Sequence, residues 1–199
     1  MSGKRGSLAC VGIGMMLGAH IGPRARSTIE QADVVFVAVS DPLVEAWIQG
    51  MHRDVRSLQP FYREGKSRHD TYRQMVAAML AEVRGGRTVC GAFYGHPGVF
   101  ARVPHEAIAA TRAEGFDAWM EPGISAEDCL YADLALDPGR TGCQHFEATQ
   151  FLLYRRRIDP SALLVLWQPG VVGDRSTARF SASPDHLRVL VQRLAEDYP

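Results

Sequence analysis

The chain has 199 residues, 46% of them apolar, with 22 Lys+Arg set against 22 Asp+Glu. That length buries a sizeable core in one large domain or two small ones. The zero net charge lacks the basic excess of a nucleic-acid binder, and no apolar run approaches the roughly 20 residues of a membrane span.

Lys4 and Arg5 are followed by Gly12, Gly14 and Gly18 rather than by a long apolar stretch, so a signal peptide is not expected. Cys10, Cys90, Cys129 and Cys143 form no C-x-x-C pair, and none has a histidine at zinc-finger spacing. They read as buried thiols of a cytoplasmic protein without a structural metal. The basic run Arg155-Arg156-Arg157 reads as a solvated loop.

In chain order, residues 7–11 form a short apolar strand ending in Gly12-Ile13-Gly14. Ile21, Ala25, Ile29 and Ala32 then suggest a helix, and residues 34–39 an unbroken buried strand. Asp41-Pro42 is an N-cap with a first-turn proline, opening a helix towards Met51. The clearest helix covers residues 69–84, with Tyr72, Met75, Val76, Met79, Leu80 and Val83 at helical spacing and Gly85-Gly86 behind it. A strand at 88–94, a helix at 105–114 and a strand at 116–120 follow. Strands alternating with helices in this way imply an α/β fold with a parallel sheet.

A second part starts near Glu121-Pro122-Gly123, which divides the chain into domains at 1–120 and 121–199. Ser125 with Asp128 resembles a capping box, opening a helix to Leu134. Strands are expected at 143–148 and Leu163–Trp167. Ser183-Pro184-Asp185 caps a last helix with Leu187, Leu190, Val191 and Leu194 on one face. So few strands precede Tyr198-Pro199 that the second domain is expected to be small or incomplete.

Three segments carry candidate chemistry. Gly12-Ile13-Gly14 lets a ligand approach the backbone closely. Gly18 falls one place too late for a dinucleotide fingerprint, which leaves an adenosyl site or a simple tight turn. Phe93-Tyr94-Gly95-His96-Pro97-Gly98-Val99-Phe100 sits at a strand's carboxyl end, where open α/β sheets bind ligands. Tyr94 and His96 offer hydrogen bonds there, while Val99 and Phe100 offer an apolar wall. The third segment runs from Phe61 to Tyr72. Arg68 and Tyr72 are four apart at a helix start and Tyr62 lies upstream, an arrangement of two phenols around a guanidinium that can lower a tyrosine pKa.

These motifs carry a resemblance. Gly65-Lys66-Ser67-Arg68 with Thr71-Tyr72, the 93–100 loop and the segment 121–134 together resemble the borosin peptide α-N-methyltransferases, members of the tetrapyrrole-methylase (class III) group. The likeness runs from about Ser7 to Tyr198. It implies two α/β domains, a parallel-sheet N-terminal one and a mixed-sheet C-terminal one, with S-adenosylmethionine in the cleft between them. The cofactor would contact Tyr94, His96, Val99, Phe100, Ser125, Ala126 and Gln168, beside the glycine loop of Gly12 and Gly14. Tyr62, Arg68 and Tyr72 match the positions that surround the methylated peptide bond. The family acts as an interlocked homodimer on a leader-bearing precursor peptide, fused or separate. Here no fused extension is present, which favours a separate peptide or a shortened form of a fused enzyme. Gln59 stands where the family often has a tyrosine. The alternatives are a tetrapyrrole C-methyltransferase with the same fold, or an inactive peptide-binding partner. Neither a metal nor nucleic acid nor a membrane enters the expected function.

Overall fold

The computed structural model describes residues 6–181 and 183–198; Lys4 and Arg5, and Pro199 at the other end, lie outside them. The chain divides into two compact units. One comprises Met1–Arg63 and His69–Leu130, the other Glu64–Arg68 and Tyr131–Pro199.

The first unit is built on β1 (Ser7–Gly12), α1 (Pro23–Gln31), β2 (Val34–Ala38), α2 (Pro42–Gln49), β3 (Val55–Ser57), α3 (Arg68–Arg84), β4 (Thr88–Phe93), α4 (Arg102–Ala113) and β5 (Asp117–Glu121). Its five strands are all parallel, in the order β3-β2-β4-β1-β5. Alternate residues of β1, β2 and β4 enter two separate cores. Leu8, Cys10, Val34, Phe36 and Val89 pack with Met75, Met79 and Val83 of α3 and with Val103 and Ala107 of α4. Ala9, Val11, Val35, Val37 and Ala92 pack with Ala25 and Ile29 of α1 and Ile48 of α2. A sheet covered on both faces needs apolar residues at successive positions, which is why 34–38 and 88–93 read as unbroken runs. Burial pushes the Cys10 thiol up to about 12 and the Cys90 thiol up as well, so both act as small apolar groups.

Several termini follow their local chemistry. Asp41 Oδ1 accepts the Leu43 N–H at 2.8 Å, with Pro42 in the first turn of α2. Helix α4 starts three residues ahead of the expected 105 and carries Pro104 in its first turn, where the missing N–H would have had no helical partner. Strand β3 and the 3-10 turn Gln59–Phe61 were not expected. Three-residue elements are too short to show a period.

Helix α5 (Ala126–Leu134) leads into the second unit, with α6 (Pro138–Thr141), β6 (Cys143–Glu147), α7 (Ala148–Leu153), β7 (Leu163–Trp167) and α8 (Pro184–Ala195). In place of the mixed sheet expected here, the described residues hold a parallel pair, β6 with β7. A parallel pair needs a crossover, and α7 provides it, where the strand had been expected to run on to 148. Phe151 of α7 packs with Ala148, Val172 and Leu190 in the core of this unit. Among the described residues no helix is long and apolar enough to cross a membrane, and no group of three or more His, Cys, Asp or Glu is placed to hold a metal. The four cysteines are unpaired.

Candidate functional site

At the carboxyl ends of β1, β4 and β5 three loops meet through glycine. The Gly14 N–H donates to the Gly95 carbonyl at 3.2 Å, and the Gly95 N–H donates back at 3.0 Å. A Cβ on Gly12 would stand 2.5 Å from the Gly95 oxygen and 2.7 Å from Gly123 Cα. A Cβ on Gly123 would stand 2.4 Å from that same oxygen. No side chain fits between these backbones, so the three loops form a cradle of main chain. Gly95 also has a φ of +67°, a region that side chains disfavour. Open parallel sheets bind their ligands at this edge.

Eight of the nine residues expected to hold the cofactor lie around this cradle: Gly12, Gly14, Tyr94, His96, Val99, Phe100, Ser125 and Ala126. Tyr94 and Phe100 are 50% and 41% exposed, large aromatic surfaces at the mouth of the loops. The His96 ring accepts the Gly98 N–H at its Nδ1 (2.9 Å), so the neutral imidazole carries its proton on Nε2. The Val99 N–H donates to the His96 carbonyl at 3.2 Å. Phe100 has a left-handed backbone, φ 47°, a strained state for an aromatic residue and one that clusters at ligand sites.

Ser125 is buried and caps α5 reciprocally with Asp128. Its N–H and hydroxyl both donate to Asp128 Oδ2, at 2.7 and 2.8 Å, and its Oγ accepts the Asp128 N–H at 3.3 Å. The Ser125 N–H and hydroxyl hold the Asp128 carboxyl below its ordinary range. The hydroxyl is thereby committed to the helix, and what this turn presents outward is the exposed Ala126. Glu121, buried at the end of β5, pairs with Arg24 at 2.7 Å. Sequence reasoning gave Glu121 and Gly123 no ligand role; the Glu-Pro-Gly run marked a boundary and opened the 121–134 segment that carries the resemblance.

Gln168, the ninth, follows β7 in the second unit. It is exposed and left-handed, φ 57° and ψ 40°. It is thus the second expected cofactor residue, after Phe100, to hold a backbone that non-glycine residues seldom adopt.

The candidate catalytic residues divide. Tyr62 and Tyr72 come together edge to face, ring centroids 6.3 Å apart and planes at 86°. Both pack on the core beneath α3. Thr71, fully buried, donates its hydroxyl to the Phe61 carbonyl at 3.3 Å. Gln59, in the position where a tyrosine was expected from the resemblance, donates its side-chain amide to the Val39 carbonyl and ties the 3-10 turn to the loop after β2. Arg68 belongs to the second unit, where its Nη2 meets Asp174 Oδ2 at 3.4 Å. Thr71 and Asp174 were missed, because their partners lie outside any local pattern.

The sequence pattern of the tetrapyrrole (corrin/porphyrin) methylases matches residues 7–198. The chain is 46% identical to the methyltransferase/ribosomally synthesized type I borosin cyclic peptide precursor of Coprinopsis marcescibilis, over 98% of this chain and 50% of that protein. It is 45% identical to the methyltransferase/ribosomally synthesized cyclic peptide dendrothelin A precursor of Dendrothele bispora, over 98% and 47%. The chain therefore spans about half the length of the curated relatives it matches. The crystal structure of the methyltransferase CobJ superposes with a TM-score of 0.67 at 18% identity, over 98% of this chain and 77% of that one, a likeness of fold. The chain belongs to the tetrapyrrole (corrin/porphyrin) methylase family.

Proposed function

We propose that the protein is an S-adenosylmethionine-dependent methyltransferase that N-methylates backbone amides of a ribosomally made precursor peptide, supplied as a separate chain. Family membership and the likeness to borosin precursor proteins support the methyltransferase reading. The observation that carries the choice of amide chemistry is the facing pair of phenols, Tyr62 and Tyr72.

A backbone amide nitrogen is a poor nucleophile, because its lone pair is shared with the carbonyl. Making it react requires a base for the N–H proton and a donor for the growing charge on oxygen. We assign Tyr72 as the base, with Arg68, one turn back along α3, as its activating partner. Tyr62 and Tyr94 donate to the carbonyl oxygen. Orientation on a fixed frame supplies roughly 7–11 kcal/mol.

S-adenosylmethionine supplies an electrophilic methyl on a sulfonium. The main-chain cradle of Gly12, Gly14, Gly95 and Gly123 suits such a ligand, since glycines let it approach the backbone closely. We assign Tyr94, His96, Val99, Phe100, Ser125 and Ala126 to its binding, and Gln168 from the resemblance. Ser125 would act there through the turn it caps rather than through its committed hydroxyl. We take the working form to be a cytoplasmic homodimer, on family likeness.

The test is release of S-adenosylhomocysteine when a precursor peptide is added to protein and S-adenosylmethionine. Release only with peptide supports the proposal. No release with peptide, alongside normal cofactor binding, rejects it in favour of a binding-only role.

A further inference from the structure

We infer that Asp174 is a positioning residue for Arg68: the loop 174–179, rather than the helix that Arg68 opens, fixes where its guanidinium stands. The inference rests on the proposed role of Arg68 in amide methylation.

Arg68 is the first residue of α3. A cation there faces the positive end of the helix dipole, and a long side chain has many rotamers to choose among. Neither fact favours a fixed guanidinium, so something outside the helix must hold it. Asp174 does so with a carboxylate that is itself anchored. Its Oδ1 accepts the Ser176 N–H at 3.0 Å and the Ser176 hydroxyl at 2.5 Å, and its Oδ2 accepts the Arg179 N–H at 3.1 Å. Burial opposes its charge, but the Ser176 hydroxyl, the Arg179 and Ser176 N–H groups and the Arg68 guanidinium overcome that, and the carboxyl titrates below its ordinary range. The loop thus presents a preformed anion.

The segment bearing Arg68 is bound to that loop along its backbone as well. The Arg68 N–H donates to the Thr177 carbonyl at 3.0 Å, the Gly65 N–H to the Ala178 carbonyl at 3.4 Å, and the Ser67 and Thr177 hydroxyls lie 3.4 Å apart. The two charged side chains are 19% and 6% exposed. Removing the carboxylate charge therefore leaves a largely buried guanidinium uncompensated, free to leave the position in which it serves Tyr72.

The experiment is a double-variant cycle on the protein with S-adenosylmethionine and precursor peptide. Asp174→Asn keeps the shape and the acceptor for Ser176 while losing the charge. It is expected to lower kcat by about 10-fold or more, the scale of a misplaced catalytic group, with KM for peptide and cofactor affinity little changed. In an Arg68→Lys background the same change should cost almost nothing further, because the two residues act as one unit. If Asp174→Asn fails to fold, Ser176→Ala, which removes one anchor of the carboxylate, should give a smaller loss of kcat that also vanishes in the Arg68→Lys background. Parent-rate turnover by a folded Asp174→Asn protein overturns the inference, as do losses that multiply independently. An Arg68→Lys protein with unaltered turnover removes instead the reading of Arg68 beneath it.

Discussion

The Thr71 hydroxyl donates to the Phe61 carbonyl at 3.3 Å, and these two residues directly precede the facing tyrosines, Tyr72 and Tyr62. One hydrogen bond thus sets the start of α3 against the 3-10 turn and holds the phenols edge to face. Thr71→Val keeps the shape and removes this hydrogen bond. It is expected to cost about 1–2 kcal/mol in denaturant unfolding and to slow methylation at temperatures where the protein is still fully folded. Unchanged stability with unchanged turnover would show that the tyrosines are held by packing alone.

Tyr72→Phe tests the base itself. The ring keeps its place on the core and its edge contact with Tyr62, since the apolar stripe of Met75, Met79, Leu80 and Val83 anchors the helix without the hydroxyl. Turnover is expected to fall at least about 100-fold, the usual scale of general base catalysis, with calorimetric cofactor binding preserved. Near-parent turnover would move the proton's route to Tyr62 or to water.

The glycine cradle makes a comparative prediction. At Gly123 a new Cβ meets the Gly95 carbonyl at 2.4 Å, which is backbone with nowhere to go. At Gly98 the nearest atom is the Met120 sulfur at 2.9 Å, the end of a flexible side chain. Gly123→Ala is therefore expected to cost about 1–3 kcal/mol of stability and to weaken S-adenosylmethionine binding far more than Gly98→Ala does. Equal affinities for the two variants would remove the cradle from the binding site.

Much of the first unit is legible in the sequence because its causes are local. Aspartate before proline caps α2, and Ser125 with Asp128 caps α5 as the three-residue spacing implies. The runs at β2 and β4 are continuous because both faces of the sheet are covered. What stayed hidden depends on distance along the chain. Arg68 and Asp174 are 106 residues apart, and no pattern around either residue points to the other. Gly12, Gly95 and Gly123 each look like an ordinary turn glycine until their backbones meet. Tyr62 and Tyr72 were grouped by sequence, but the bond that pairs them comes from Thr71, which reads as one more polar residue on a helix.

The cap of α5 should be pH-dependent. The folded Asp128 carboxyl titrates below its unfolded value, so its contribution is fully present above the unfolded pKa of about 3.9 and is lost as pH falls through the folded one. Asp128 is exposed, and screening keeps the effect of Asp128→Asn at the low end for a cap, about 0.5 kcal/mol at pH 7. Thermal unfolding should show the gap between parent and variant at pH 7 narrowing as the solution is taken below pH ~4. A gap that stays constant into acid would mean that the carboxylate charge plays no part.

The central claim is that the methyl group goes to a backbone amide nitrogen. The direct measurement is tandem mass spectrometry of a precursor peptide incubated with the protein and S-adenosylmethionine. The account predicts stepwise gains of single methyl groups, each located by fragmentation on a main-chain nitrogen, and their loss with Tyr72→Phe. Methyl groups found on side chains or termini, or a peptide left unmodified while a tetrapyrrole precursor is methylated, would contradict it.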